Sequence, residues 1–89
     1  MAKPIYIRNR PIEHYLLSIF SLLLQGEKEI VLKSFGSING RTIDLAYLIK
    51  NNILPETFDI DVKCNVEDVS VGDSTYKASS ITVILAKVK

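Results

Sequence analysis

The run Pro4-Ile-Tyr-Ile-Arg8 is short, apolar and rich in β-branched and aromatic residues, so it predicts a strand that runs into Asn9-Arg10. Pro11 suits the start of a helix, because its φ is fixed and its missing N–H is not needed there. Gly26 after Gln25 supplies a left-handed stop, which predicts a helix of about 15 residues. Ile12, Tyr15, Leu16, Ile19, Phe20, Leu22, Leu23 and Leu24 cover more than half of its circumference, leaving a polar stripe of Glu13, Ser18, Ser21 and Gln25. A helix this apolar either caps a sheet almost completely or is held between a sheet and another surface.

After the polar turn Glu27-Lys28-Glu29, residues Ile30 to Phe35 form a nearly continuous apolar run of the kind found at a sheet centre. A strand, a helix and a second strand make a right-handed crossover between parallel neighbours. Gly36 to Gly40 is the most turn-rich stretch, and Arg41 to Asn52 predicts a second helix that ends before Pro55. Ile43, Ala46, Tyr47 and Lys50 are expected along one face of it, with Leu45, Leu48 and Ile49 on a further apolar flank. From Phe58 onward apolar residues occupy even positions through Val62, Cys64 and Val66, the mark of a strand with one face on the core and one in water. Gly72-Asp73 signals a hairpin turn, and Ser80 to Val88 is the return strand. The predicted order is βαβαββ: an α/β chain, more narrowly an α+β two-layer sandwich of two helices on a mixed four-stranded sheet.

At 89 residues, 47% of them hydrophobic and 24% charged, the chain is expected to fold as a single domain over 1–89. A domain this small buries only roughly 60 to 65% of its unfolded surface, which favours association with a second copy. One cysteine excludes an internal disulfide, and with His14 alone beside it there is no zinc ligand set, so no metal and no cofactor are expected. The opening residues lack the apolar run of a secretory signal, and Tyr15 to Leu24 is too short for a bilayer, so a cytoplasmic protein without a membrane partner is expected.

The net charge is only +1, but it is unevenly spread. Residues 1 to 52 carry seven basic groups against four acidic ones, a balance of +3, whereas residues 53 to 89 carry four against six, a balance of −2. All three arginines lie in the first part. Arg8-Asn9-Arg10 follows the first strand, Lys33 lies near the end of the second, and Asn39 to Arg41 opens the second helix. Parallel strands send their C-terminal ends, and the helix starts that follow, to one edge of a sheet, so these groups are expected to converge. The planar guanidinium fork suits phosphate oxygens, which makes a polyanion the expected partner. Catalysis is not expected. His14 and Cys64 fall on distant elements, Asp59 and Asp61 occupy the wet face of a strand, and Gly36 to Gly40 lacks the spacing of a nucleotide-binding loop.

Arg10-Pro11 opening the first helix, Leu24-Gln25-Gly26 closing it, and Glu29-Ile-Val-Leu-Lys33 as the second strand resemble the Alba family of small archaeal chromatin proteins. Gly36, Ile43-Asp44 and Ile53-Leu54-Pro55 extend the likeness over essentially the whole chain. The resemblance implies an Alba-like fold and a dimer that binds double-stranded DNA, and often RNA, with little sequence preference as part of chromosome architecture. Arg8, Asn9, Arg10, Lys33, Asn39 and Arg41 would meet the phosphates, with Lys77 on a hairpin arm. Leu45, Leu48, Ile49, Ile53, Leu54 and Phe58 would make contacts within or between dimers. Asn9 and Arg10 stand where the family usually has two lysines, so the acetylation switch known there is absent or lies elsewhere. Phe35, Ser37 and Ile38 thin out the family's basic stretch, and Asp68 and Asp73 flank the hairpin tip, implying weaker binding. An alternative is a weakly binding paralogue that forms mixed dimers with a more basic Alba and alters how that partner packs on DNA, or a protein that mainly binds RNA.

Overall fold

A computed structural model describes residues 3–88. The elements are β1 (Ile5–Tyr6), α1 (Ile12–Leu24), β2 (Glu29–Phe35), a 3-10 turn over Gly36–Ile38, α2 (Asn39–Leu48), a π-helical turn over Ile49–Ile53, β3 (Phe58–Val71) and β4 (Ser74–Lys87). The strands lie in the order β1-β2-β4-β3, with β1 parallel to β2 and the other pairs antiparallel. This is the mixed four-stranded sheet with two helices that the pattern predicts.

β1 is shorter than its apolar run. Ile7 still donates its N–H to the Lys33 carbonyl at 2.8 Å, but the next amide, of Arg8, turns away to a side chain of α1. Pro11 forms the N-cap of α1 rather than its first turn. At the other end Gly26 adopts φ +89°, Glu27 N–H donates to the Leu22 carbonyl and Gly26 N–H to the Leu23 carbonyl, the pair of hydrogen bonds that closes a helix at a left-handed residue. Tyr15 and Ile19 are the fully buried residues of α1. Leu17 and Leu24 stand in solvent beside the polar stripe, so the apolar arc is only partly covered.

The core lies on one face of the sheet. Ile30 and Leu32 of β2 and Ile81, Val83 and Leu85 of β4 share a cluster with Tyr15 and Ile19 of α1 and with Leu45, Ala46 and Ile49 of the second helical segment. Both helices therefore cover the same face. Truncating a residue such as Leu32 to alanine would cost about 2 to 5 kcal/mol.

α2 is rotated relative to the expected face. Its buried line is Thr42, Leu45, Ala46 and, one turn on, Ile49, while Tyr47 is exposed and Ile43 is half-buried. Thr42 sits inside because its hydroxyl donates to the Ile38 carbonyl at 3.3 Å, which satisfies the polar group within the helix. Leu54 N–H bonds the Ile49 carbonyl at 2.8 Å in the wide π-type turn, so Ile53 and Leu54 pack against the core margin. This corrects part of the expected contact set between copies: Leu45, Ile49 and Phe58 are 1%, 0% and 1% exposed and belong to the protomer's own core. Leu48, Ile53 and Leu54 remain half-buried.

β3 and β4 are 14 residues each, joined by Gly72-Asp73 with Gly72 at φ +59°, as in the tight turn that has glycine first. β2 accompanies β4 only over Ser80 to Ala86. Beyond it, Val66–Val71 and Ser74–Ser79 run on as a free two-stranded arm of about 20 Å.

Candidate nucleic-acid interface

Because β1 and β2 are parallel, the chain leaves both at the same edge, and the segments that follow them meet there. Tyr15 holds the first of these. Its ring is buried from the first turn of α1, and its hydroxyl accepts the backbone N–H of Arg8 at 2.6 Å and of Arg10 at 3.3 Å. The loop is thus fixed through its backbone, and the side chains of Arg8, Asn9 and Arg10 are left exposed. From the first turn of α2, Arg41 donates Nη2–H to the Arg10 carbonyl at 2.5 Å. That bond ties the second segment to the first. A cleft of about 540 Å³ opens between them, lined by Tyr6, Arg8, Asn9, Arg10, Phe35 and Ile38 among others.

The ion pairs among the described residues are Lys33–Glu67 and Lys77–Asp68, so none of the three arginines is matched by a carboxylate there. Arg8, Asn9, Arg10 and Arg41 are brought together as the sequence predicts. The remaining three are not available in the same way. Lys33 Nζ lies 3.1 Å and 3.2 Å from the two carboxylate oxygens of Glu67, because both side chains lean across β4 on the helix-free face. Ser80, buried beneath them, also donates its hydroxyl to Glu67. The Ser80 hydrogen bond, and then Lys33, hold the Glu67 carboxyl below the usual glutamate range. Lys77 faces Asp68 directly across the arm at 3.0 Å. Asn39 accepts from the Ser34 hydroxyl at 2.8 Å and donates toward Ser79 at 3.3 and 3.4 Å, so its amide ties α2 to β2 and to the base of the arm.

Tyr15 is the residue of this rim that hydrophobic periodicity does not reveal, since the pattern places it only within an apolar arc. Its signal was a hydroxyl-bearing aromatic in the first turn, directly behind the arginine loop. His14 is exposed on α1, and Cys64 is exposed on β3 at the opposite edge of the sheet from β1. They do not form a site. No helix among the described residues is long and apolar enough to cross a membrane.

The Alba family profile matches residues 3–67. The chain belongs to the Alba family. A relative named DNA/RNA-binding protein Alba 1, from Archaeoglobus fulgidus, is 28% identical over 83 residues, covering 93% of each chain. DNA/RNA-binding protein Alba 2 from Methanopyrus kandleri is 35% identical over 52 residues, 58% of this chain and 56% of its own. The solved structure of Alba from Thermoplasma volcanium superposes with a TM-score of 0.79 over 96% of this chain and 100% of its own, at 18% identity. The Alba match includes all four residues of the rim and ends at Glu67, one residue into the free arm.

Proposed function

We propose that this chain binds nucleic acid without regard to sequence, double-stranded DNA among its ligands, by gripping phosphates with Arg8, Arg10 and Arg41, and that it works as a dimer on the chromosome. The observation that carries the reading is the Arg41–Arg10 bond, which gathers guanidinium groups from two loops without consuming their charge. The names of the Archaeoglobus and Methanopyrus relatives support it. Each arginine that meets a phosphate releases condensed counterions, and that release drives binding to any sequence. The protein acts by binding, not by catalysis.

A second copy doubles the rim. β3 is an edge strand, and its helix-side residues Val62 and Val66 are 37% and 68% exposed next to Cys64 and half-buried Ile60, a face that α2 leaves uncovered. Together with Leu48, Ile53 and Leu54 this strip suits a self-complementary two-fold contact. A second reading is favoured by the neutralised Lys33 and Lys77: the chain pairs with a more basic Alba that supplies the missing charge.

Titration of labelled duplex at several salt concentrations tests the reading. If four to six arginines of a dimer engage, log affinity falls against log salt with a slope of about −4 to −5. A flat response overturns it. Sedimentation of the chain alone and with a basic Alba separates the homodimer from the mixed one.

A further inference from the structure

We propose that the helix-free face of the sheet beside the rim is a stacking platform for unpaired nucleotide bases, so that the chain prefers single-stranded nucleic acid to duplex. This rests on the nucleic-acid reading above and names the ligand form.

Tyr6 and Lys33 sit opposite each other in the β1–β2 pair, and Phe35 follows two residues along β2. All three therefore project from the face that carries no helix. Strand spacing and rise put the Tyr6 and Phe35 Cα atoms about 8 Å apart, two ring positions side by side. Tyr6 is 45% exposed, and the core that would use an apolar ring lies on the other side of the sheet. The Arg8 guanidinium carbon lies over the Tyr6 ring, 5.9 Å from its centroid, and Lys33 Nζ, whose charge Glu67 already matches, lies over the Phe35 ring at 5.5 Å. Both rings line the cleft that Arg8 and Arg10 border.

A ligand that uses all of this needs flat π faces and an anionic backbone at once. A duplex offers the backbone but hides its base faces, whereas an unpaired strand presents both. The β3 side of the same face carries Asp59, Asp61 and Glu67 against the single cation Lys63, a net negative charge that repels phosphates. A strand is thereby confined to the β1–β2 side, with its bases on Tyr6 and Phe35 and its phosphates along the arginines.

The test compares an unstructured oligonucleotide, as RNA and as DNA, with a duplex of the same length at matched salt. Wild-type protein is expected to bind both single strands more tightly than the duplex. Tyr6→Ala and Phe35→Ala should each weaken single-strand binding about tenfold, collapsing that preference, while Tyr6→Phe and Phe35→Tyr retain it. The chain has no tryptophan, so Phe35→Trp gives a unique fluorophore, which the single strands quench and the duplex does not. Circular dichroism of each variant checks the fold. Alanine variants that leave the preference unchanged, or equal quenching by both forms, overturn the platform and leave the phosphate grip standing. Wild-type protein that binds neither form removes both.

Discussion

The cations of the rim and those around the base of the arm differ in what their positions cost. At the rim, the bonds that fix the chain are made to neutral groups: the Tyr15 hydroxyl takes two backbone amides, and Arg41 spends one N–H on a carbonyl. The guanidinium charges stay open. Around the arm, side-chain charge itself does the positioning, since Lys33 is fixed by Glu67 and Lys77 by Asp68. Those pairs set a carboxylate against each lysine and so offset the charge that would attract a polyanion. Availability of charge therefore follows from how each cation is held, and the net +1 of the chain conceals it.

The largest expected difference between the regions is in binding. Arg10→Glu removes a charge-assisted contact worth about 1.5 to 3 kcal/mol, so affinity for every sequence should fall at least about tenfold. Lys77→Ala, which removes only a charge already matched by Asp68, should change affinity less than about twofold. Filter-binding or anisotropy titrations of both variants decide it. Equal losses would erase the distinction between rim and arm.

A smaller effect is expected where the rim is held rather than where it grips. Tyr15→Phe keeps the buried ring but takes the acceptor from the Arg8 and Arg10 amides. Stability should fall by about 1 kcal/mol, read from the urea midpoint. Affinity should fall by about threefold, less than for Arg10→Glu, because the arginines remain but their loop must be ordered on binding. An unchanged affinity would mean that the loop positions itself.

Much of the fold was written in hydrophobic periodicity, which fixes element order, the Gly26 stop and the Gly72-Asp73 turn. The convergence of Arg8, Arg10 and Arg41 was also legible, since it needs only a parallel β1–β2 pair. The pairing of Lys77 was legible as well: a two-residue turn at Gly72-Asp73 puts Asp68 opposite Lys77 by register alone. Lys33–Glu67 was not legible. It spans β4, and the position of β4 between β2 and β3 is a matter of tertiary strand order that no local pattern specifies. The rotation of α2 was hidden for a related reason. Thr42 counts as polar in any periodicity and is buried only because its hydroxyl bonds its own helix. That misreading put Leu45 and Ile49 on an outward flank when they are core.

The finest discrimination comes from converting an arm cation to the condition of the rim. Glu67→Gln keeps the size and a hydrogen-bonding end but leaves the Lys33 charge uncompensated beside Phe35. Affinity should rise by about two- to threefold, and the salt slope should steepen by up to about 0.9 per protomer if Lys33 then meets a phosphate. The same charge is released by acid. The folded-state Glu67 carboxyl titrates below its ordinary 4.5, held down first by the Ser80 hydroxyl and then by Lys33. The carboxylate's contribution is therefore complete above that ordinary value and is lost as pH falls through the lowered one. Stability of wild type relative to Glu67→Gln, followed by urea unfolding, should be constant near neutrality and decline only in that acid window. A wild-type advantage that persisted at lower pH would show that the clamp does not depend on ionised Glu67, and Lys33 would then be held by geometry alone.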